Sequence, residues 1–117
     1  MNKEAILYIK SVLGETSLDD EDLDFCYNCA KKQFNVILSR HNSLNHSVDE
    51  CSFNILKFGP HETKSLIMDG GLAIAEELSA SFEGRKVKSV KRWRRRIKQI
   101  TEYYSVNQDG IVWEKIV

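Results

Sequence analysis

Two cysteines and two histidines come close to a zinc-finger spacing. Cys26, Cys29, His41 and His46 spell C-x2-C-x11-H-x4-H, one residue short of the common C-x2-C-x12-H-x3–5-H arrangement. Zinc needs four such ligands converging tetrahedrally, and a small finger presents its cysteines from a turn. Here the cysteines follow "SLDDEDLDF", an acid-led helix start. On a helix the two would stand one turn apart, with His41 about 18 Å along the axis from Cys29 at a rise of about 1.5 Å per residue. The expected reading is two small side chains on or near a buried helix face, because free cysteine is among the most buried residue types. No metal and no other cofactor is expected.

The acids between Asp19 and Asp24 offer a second chemistry, that of paired carboxylates. Acidic residues also suit the positive end of a helix, and a solvated cap is the expected role. The chain has no Gly-rich phosphate loop, no nucleophile elbow and no H-E-x-x-H. It is expected not to be an enzyme.

The third feature is "RKVKSVKRWRRRIK", residues 85–98, where nine side chains are Lys or Arg and none is acidic. The protein carries 17 basic and 17 acidic residues and is formally neutral. Residues 1–84 hold 7 basic and 14 acidic side chains, and residues 99–117 hold 1 and 3. Charge is therefore segregated, which points to a nucleic-acid surface or to acidic protein neighbours. Arg85, Lys88, Lys91, Arg92, Arg95 and Lys98 are the expected contacts to DNA phosphates or to another subunit.

These residues must be carried by helices, since a single proline, Pro60, leaves room for long ones. Residues 3–13 put Ala5, Ile6, Ile9, Val12 and Leu13 on one face, and Gly14 stops the run. Thr16 or Ser17 is the expected cap of a helix reaching about Arg40, with Leu23, Cys26, Ala30, Phe34, Ile37 and Leu38 inward. "HNSLNH" reads as a loop. Ser47 and Glu50 form a capping box for a short helix over 48–57.

Residues 61–80 give another helix with Leu66, Ile67, Ile74, Ala75 and Leu78 inward. Gly70-Gly71 inside it calls for a kink, a break or a close helix crossing, since each glycine costs roughly 1 kcal/mol against Ala. Over 86–104, Val87, Val90, Trp93 or Arg94, Ile97, Ile100 and Tyr104 make one apolar stripe, so the basic residues fill the exposed face. Asp109-Gly110 is a turn signal, and "IVWEKIV" reads as a strand. That strand pairs in a hairpin near Val106 or reaches a neighbour. The expectation is a mainly α, small bundle of four to five helices with a short C-terminal β segment, divided into residues 1–105 and an extension of 106–117.

Size and composition fit one globular domain. No apolar run is long enough to span a membrane, and the mixed N-terminus is not a signal peptide. Three cysteines leave no closed disulfide framework, which favours a reducing compartment.

Two resemblances follow. "LAIAEELSASFEGRKVKSVKRWRRRI" resembles the second and third helices of Myb-like helix-turn-helix domains, with Ile74, Ala75, Leu78, Val90 and Trp93 matching in kind. The connection from Leu78 to Val90 is longer than that motif uses, and the tryptophan-rich first helix is missing. The N-terminal "ILYIKSVLGETSLDDEDLDFCYNCAKKQFNVIL" resembles the opening of tailed-phage head–tail connector (adaptor) proteins. There Ile6, Ile9, Lys10, Leu13 and Gly14 match a short first helix and its end, and Asp19, Asp20, Leu23 and Ala30 match an acidic stretch leading a long helix.

The connector resemblance explains more of the chain. It implies a non-enzymatic virion component assembled in the host cytoplasm, in a closed ring of about twelve copies. Its partners would be the portal, the tail-side neck proteins and the double-stranded DNA in the channel. It also implies a C-terminal segment that reaches other subunits, here Ile111, Val112, Trp113 and Ile116. The helix-turn-helix reading instead makes the basic helix a reader of one DNA site.

Overall fold

The computed structural model describes residues 1–44, 58–82, 90–107 and 112–116. Among the described residues four helices come first, and a two-stranded sheet follows: α1 Lys3–Leu13, α2 Asp20–Leu44, α3 Pro60–Ser81, α4 Val90–Glu102, β1 Tyr104–Asn107 and β2 Val112–Lys115. The fold is mainly α with a short C-terminal hairpin, as the hydrophobic periods require. The helix expected over 48–57, residues 83–89 and the Asp109-Gly110 turn lie outside the described residues.

The helix ends follow local chemistry. Asn2 caps α1, its side-chain oxygen accepting from the Ala5 amide at 3.0 Å, and Gly14 ends it at φ 77°, a left-handed value that glycine adopts without strain. The cap of α2 is Asp19 rather than Thr16 or Ser17. Its Oδ1 accepts from the Asp22 amide at 2.8 Å, and Asp22 Oδ2 accepts from the Asp19 amide at 3.3 Å. This reciprocal pair does what Ser/Thr with Glu does in a capping box. Thr16 is engaged elsewhere, its hydroxyl 2.9 Å from that of Ser79, so it ties the α1–α2 connection to α3. Pro60 opens α3 at its first position, where the missing N–H costs nothing.

Cross-helix contacts give the directions. Asn2 bonds Asp24, and Lys10 pairs with Asp20, so α1 and α2 are antiparallel. Lys64 pairs with Glu4 and Asp69 accepts from Tyr8, so α1 and α3 run parallel. Phe82 packs on Trp93 and Tyr104 bonds Glu77, so α3 and α4 are antiparallel. It follows that α2 and α4 run side by side in the same direction. Their inward faces build one core around Ile9, Leu23, Phe34, Ile74, Leu78, Ile97 and Ile100, all fully buried.

Two positions on the expected apolar stripes are corrected. Val90 is 60% exposed and Val12 is 52% exposed. Both sit near helix ends. A place on the right side of the wheel buries a side chain only where a neighbour covers it, and none among the described residues does. Trp93, one turn on from Val90, is buried at 8% exposure against Phe82, with ring centroids 4.5 Å apart.

Gly70-Gly71 does not break α3, which runs unbroken to Ser81. The pair serves two close approaches. A Cβ on Gly71 would meet the Tyr27 backbone Cα of α2 at 3.0 Å and Ile9 Cδ1 of α1 at 3.2 Å. A Cβ on Gly70 would run into the indole of Trp113. The helix crossing on one side and the hairpin on the other each need a residue without a side chain.

β1 and β2 pair antiparallel, with Val106 opposite Trp113 and Tyr104 opposite Lys115. Val106 is buried and Trp113 packs against the core, its indole N–H donating to the Leu66 carbonyl at 2.5 Å. The C-terminal segment is thus a hairpin folded on its own chain, and Trp113, expected to reach another subunit, is half-buried against that chain's core. Val112 and Ile116 are exposed. Ile111 lies outside the described residues.

Candidate nucleic-acid interface

The helical period sorts the cations of α4 by direction. Core residues Trp93, Ile97, Ile100 and Thr101 mark its inner side. Counting about 3.6 residues per turn from Ile97, Arg94 and Lys98 fall on the flank toward α2, Arg96 on the flank toward α3, and Lys91, Arg92 and Arg95 on the outermost face. Lys91, Arg92, Arg94, Arg95 and Lys98 are exposed, and Arg96 is half-buried. The expected contacts Arg85 and Lys88 lie outside the described residues. Among the described residues no ion pair involves an α4 cation; the three pairs are Lys10–Asp20, Lys64–Glu4 and Lys115–Glu77.

The flank toward α2 has an aromatic floor that the sequence reading missed. Arg94 Cζ lies 5.1 Å from the centroid of the Phe25 ring, and Lys98 Nζ lies 5.9 Å from it. Both are within cation–π reach. Phe25 is half-buried, so it holds two cations in place while leaving their heads in water. Asp22, one turn before Phe25, is pushed up by burial and pulled back by the Arg94 charge among its neighbours. Asp22 is thus the acid of this stretch that senses the basic helix, while Asp20 and Asp24 are engaged by Lys10 and Asn2 at α1.

The cysteines do not make a ligand set with these groups. Cys26 is buried between helices, and burial pushes its thiol far up. Cys29 is half-buried. Burial raises its thiol too, while Thr101, Lys98 and Lys32 work the other way. No group of three or more His, Cys, Asp or Glu among the described residues could hold a metal ion. His46 lies outside them. The purified protein is expected to hold no stoichiometric zinc by elemental analysis, and Cys26→Ala to cost about 1–2 kcal/mol through lost packing. One zinc per chain with unfolding on chelation would overturn this.

A second polar cluster fixes the hairpin. Glu77 of α3 accepts from the Tyr104 hydroxyl at 2.7 Å and from Lys115 Nζ at 2.9 Å. Burial works to raise the Glu77 carboxyl, but the bonds from Lys115 and Tyr104 outweigh it and hold it below the ordinary range. A depressed carboxyl contributes stability above its unfolded-state value and loses it as pH falls through the folded one. Glu77→Gln is therefore expected to lower the melting temperature at pH 7, with the gap to the parent protein closing as pH falls below about 4.5. A gap that widens on acidification would contradict the network.

No helix among the described residues is long and apolar enough to cross a membrane. Open hollows exist beside Lys10, Gly14 and Asp19, and beside His61, Ser65 and Asp69; in the second, no hydrogen bond links Ser65 to His61, and Asp69 accepts from Tyr8 instead. No family model, no curated protein and no solved structure matches the chain.

Proposed function

We propose that the protein is a non-enzymatic structural subunit that meets the phosphate backbone of double-stranded DNA with α4, as a subunit of a tailed-phage head-to-tail connector does along its channel. The observation that carries this is the outer face of α4, where Lys91, Arg92 and Arg95 are exposed without a carboxylate partner among the described residues. A protein–protein interface has an apolar, charge-depleted centre. This face has no apolar centre, and Val90 is the single exposed large apolar residue on α4. Surfaces that bind DNA are more polar and strongly positive, which favours DNA over acidic protein as the occupant.

In this reading the exposed Val112 and Ile116 on the hairpin meet a neighbouring copy, and heterologous contacts of that kind close into a ring. The expected product is a ring of about twelve subunits in native mass spectrometry, with duplex DNA bound without sequence preference and with steep salt dependence. A monomer that binds no duplex even at low salt would overturn the proposal. A preference of about a thousandfold for one duplex would also overturn it, in favour of a helix-turn-helix regulator.

A further inference from the structure

We infer that the DNA backbone crosses the Lys98–Lys32 end of the groove between α2 and α4, with Lys32 of α2 as a phosphate contact and Phe25 as the floor that sets Arg94 and Lys98. The inference rests on the DNA-binding reading above and adds a direction and two residues from the other half of the chain. Phe25, Cys29 and Lys32 stand at i, i+4 and i+7, one row of α2. The row changes from half-buried at Phe25 and Cys29 to exposed at Lys32.

Arg94, Lys98 and Thr101 form the matching row of α4, again at i, i+4 and i+7. The two helices run parallel, so the rows stay side by side. Phe25 lies under Arg94 and Lys98 at 5.1 and 5.9 Å. Further along, Gln33 Nε2 donates to the Tyr104 carbonyl at 3.2 Å. Cys29, half-buried, lies between Phe25 and Lys32 on the α2 row. Cations from two helices thus flank one shallow groove with a half-buried floor.

The ends of the groove differ in charge. Asp22 stands beside Arg94 at the start of both helices, where a phosphate would meet a carboxylate. Toward Lys98 and Lys32 the row Phe25–Cys29–Lys32 carries no acid. The phosphate track therefore runs from Lys98 and Lys32 across the outer face of α4, and not toward the acidic cap of α2.

Cys29 reports on this directly, because it is the half-buried thiol at the centre of the groove and Cys26 is a buried internal control. The test uses the full chain and a short random-sequence duplex, with binding established independently by fluorescence anisotropy. Under saturating duplex, alkylation of Cys29 by iodoacetamide is expected to slow severalfold, read by peptide mass spectrometry. Lys32→Glu is expected to weaken binding about tenfold near 0.1 M salt, the value of roughly one phosphate contact. Lys31→Glu, the same charge change on another side of α2, should weaken it far less. Duplex binding with Cys29 unprotected, or with the two variants equally affected, overturns the groove and leaves the DNA-binding reading standing. Absence of duplex binding overturns both.

Discussion

Reversing Arg92 and Arg95 to Glu leaves the far-ultraviolet circular dichroism unchanged and lowers affinity for random duplex DNA about a hundredfold near 0.1 M salt. Both residues are exposed on the outer face of α4 and neither belongs to the core, so the change costs the fold about 0.5 kcal/mol or less. The binding loss follows from counterion release. The logarithm of the binding constant falls with the logarithm of salt by about 0.9 per neutralised phosphate. Each contact is then worth about one decade near 0.1 M salt, and two contacts about two. The salt slope should itself fall by about two in the variant. Anisotropy titrations over a range of salt read both quantities. An unchanged slope would remove the outer face of α4 from the interface, whatever the change in affinity.

Arg94 is a poorer probe of the same idea. Its guanidinium is tied to Phe25, and its loss would alter packing between α2 and α4 as well as charge. The outermost cations separate the two effects because they are exposed on the side of α4 away from its buried residues.

The helices were legible because their apolar residues recur at the helical period and meet one another. Leu23, Cys26, Ala30, Phe34 and Ile37 on α2, and Leu66, Ile67, Ile74, Ala75 and Leu78 on α3, are all buried. Val12 and Val90 show the limit of that signal. Periodicity gives the direction of a side chain, but not whether another element extends far enough to cover it. The cap of α2 was misplaced for a related reason. "ETSLDDED" holds several good caps in a row, and the choice of Asp19 goes with Thr16 being drawn to Ser79, which is far along the chain.

The candidate site was legible as charge and not as geometry. The nine bases of residues 85–98 are plain in the sequence. Their division into an α2 flank, an α3 flank and an outer face needs the core to be known first. Phe25 could have been noticed as a second apolar row on α2, but its partners Arg94 and Lys98 are some seventy residues away, and no local pattern links them. The seat of Trp113 on α3 was hidden for the same reason. A β-branched, aromatic tail looks sticky, and only the bare surface at Gly70 reveals that its tryptophan already has a seat.

Gly70→Ala is expected to lower thermal stability, although helix propensity alone predicts the opposite. Alanine exceeds glycine by about 1 kcal/mol in a helix interior. Nothing in the backbone asks for glycine here, since among the described residues Gly14 is the one with positive φ. The reason is the neighbour. A methyl group at residue 70 would lie inside the contact distance of the Trp113 ring. The indole has little freedom to retreat, because its N–H is bonded to the Leu66 carbonyl and its strand is held by Lys115 on Glu77. It must leave its seat, and the hairpin lifts with it. Overpacking of this kind costs about 1–3 kcal/mol, and the loss of the docked indole adds to it. After the propensity gain, a net loss of about 1–2 kcal/mol corresponds to a melting temperature lower by roughly 4–8 °C for a domain of this size. Tryptophan fluorescence should shift to the red as Trp113 meets water, while Trp93 stays buried. The decisive comparison is a double-mutant cycle. In a Trp113→Ala background the clash is gone, so Gly70→Ala should be neutral or stabilising by about 1 kcal/mol. Gly71→Ala should gain nothing from the same background, because its Cβ meets the Tyr27 backbone at 3.0 Å and not the indole. A Gly70→Ala protein that melts higher than the parent, with unshifted fluorescence, would mean that Trp113 is not seated on α3.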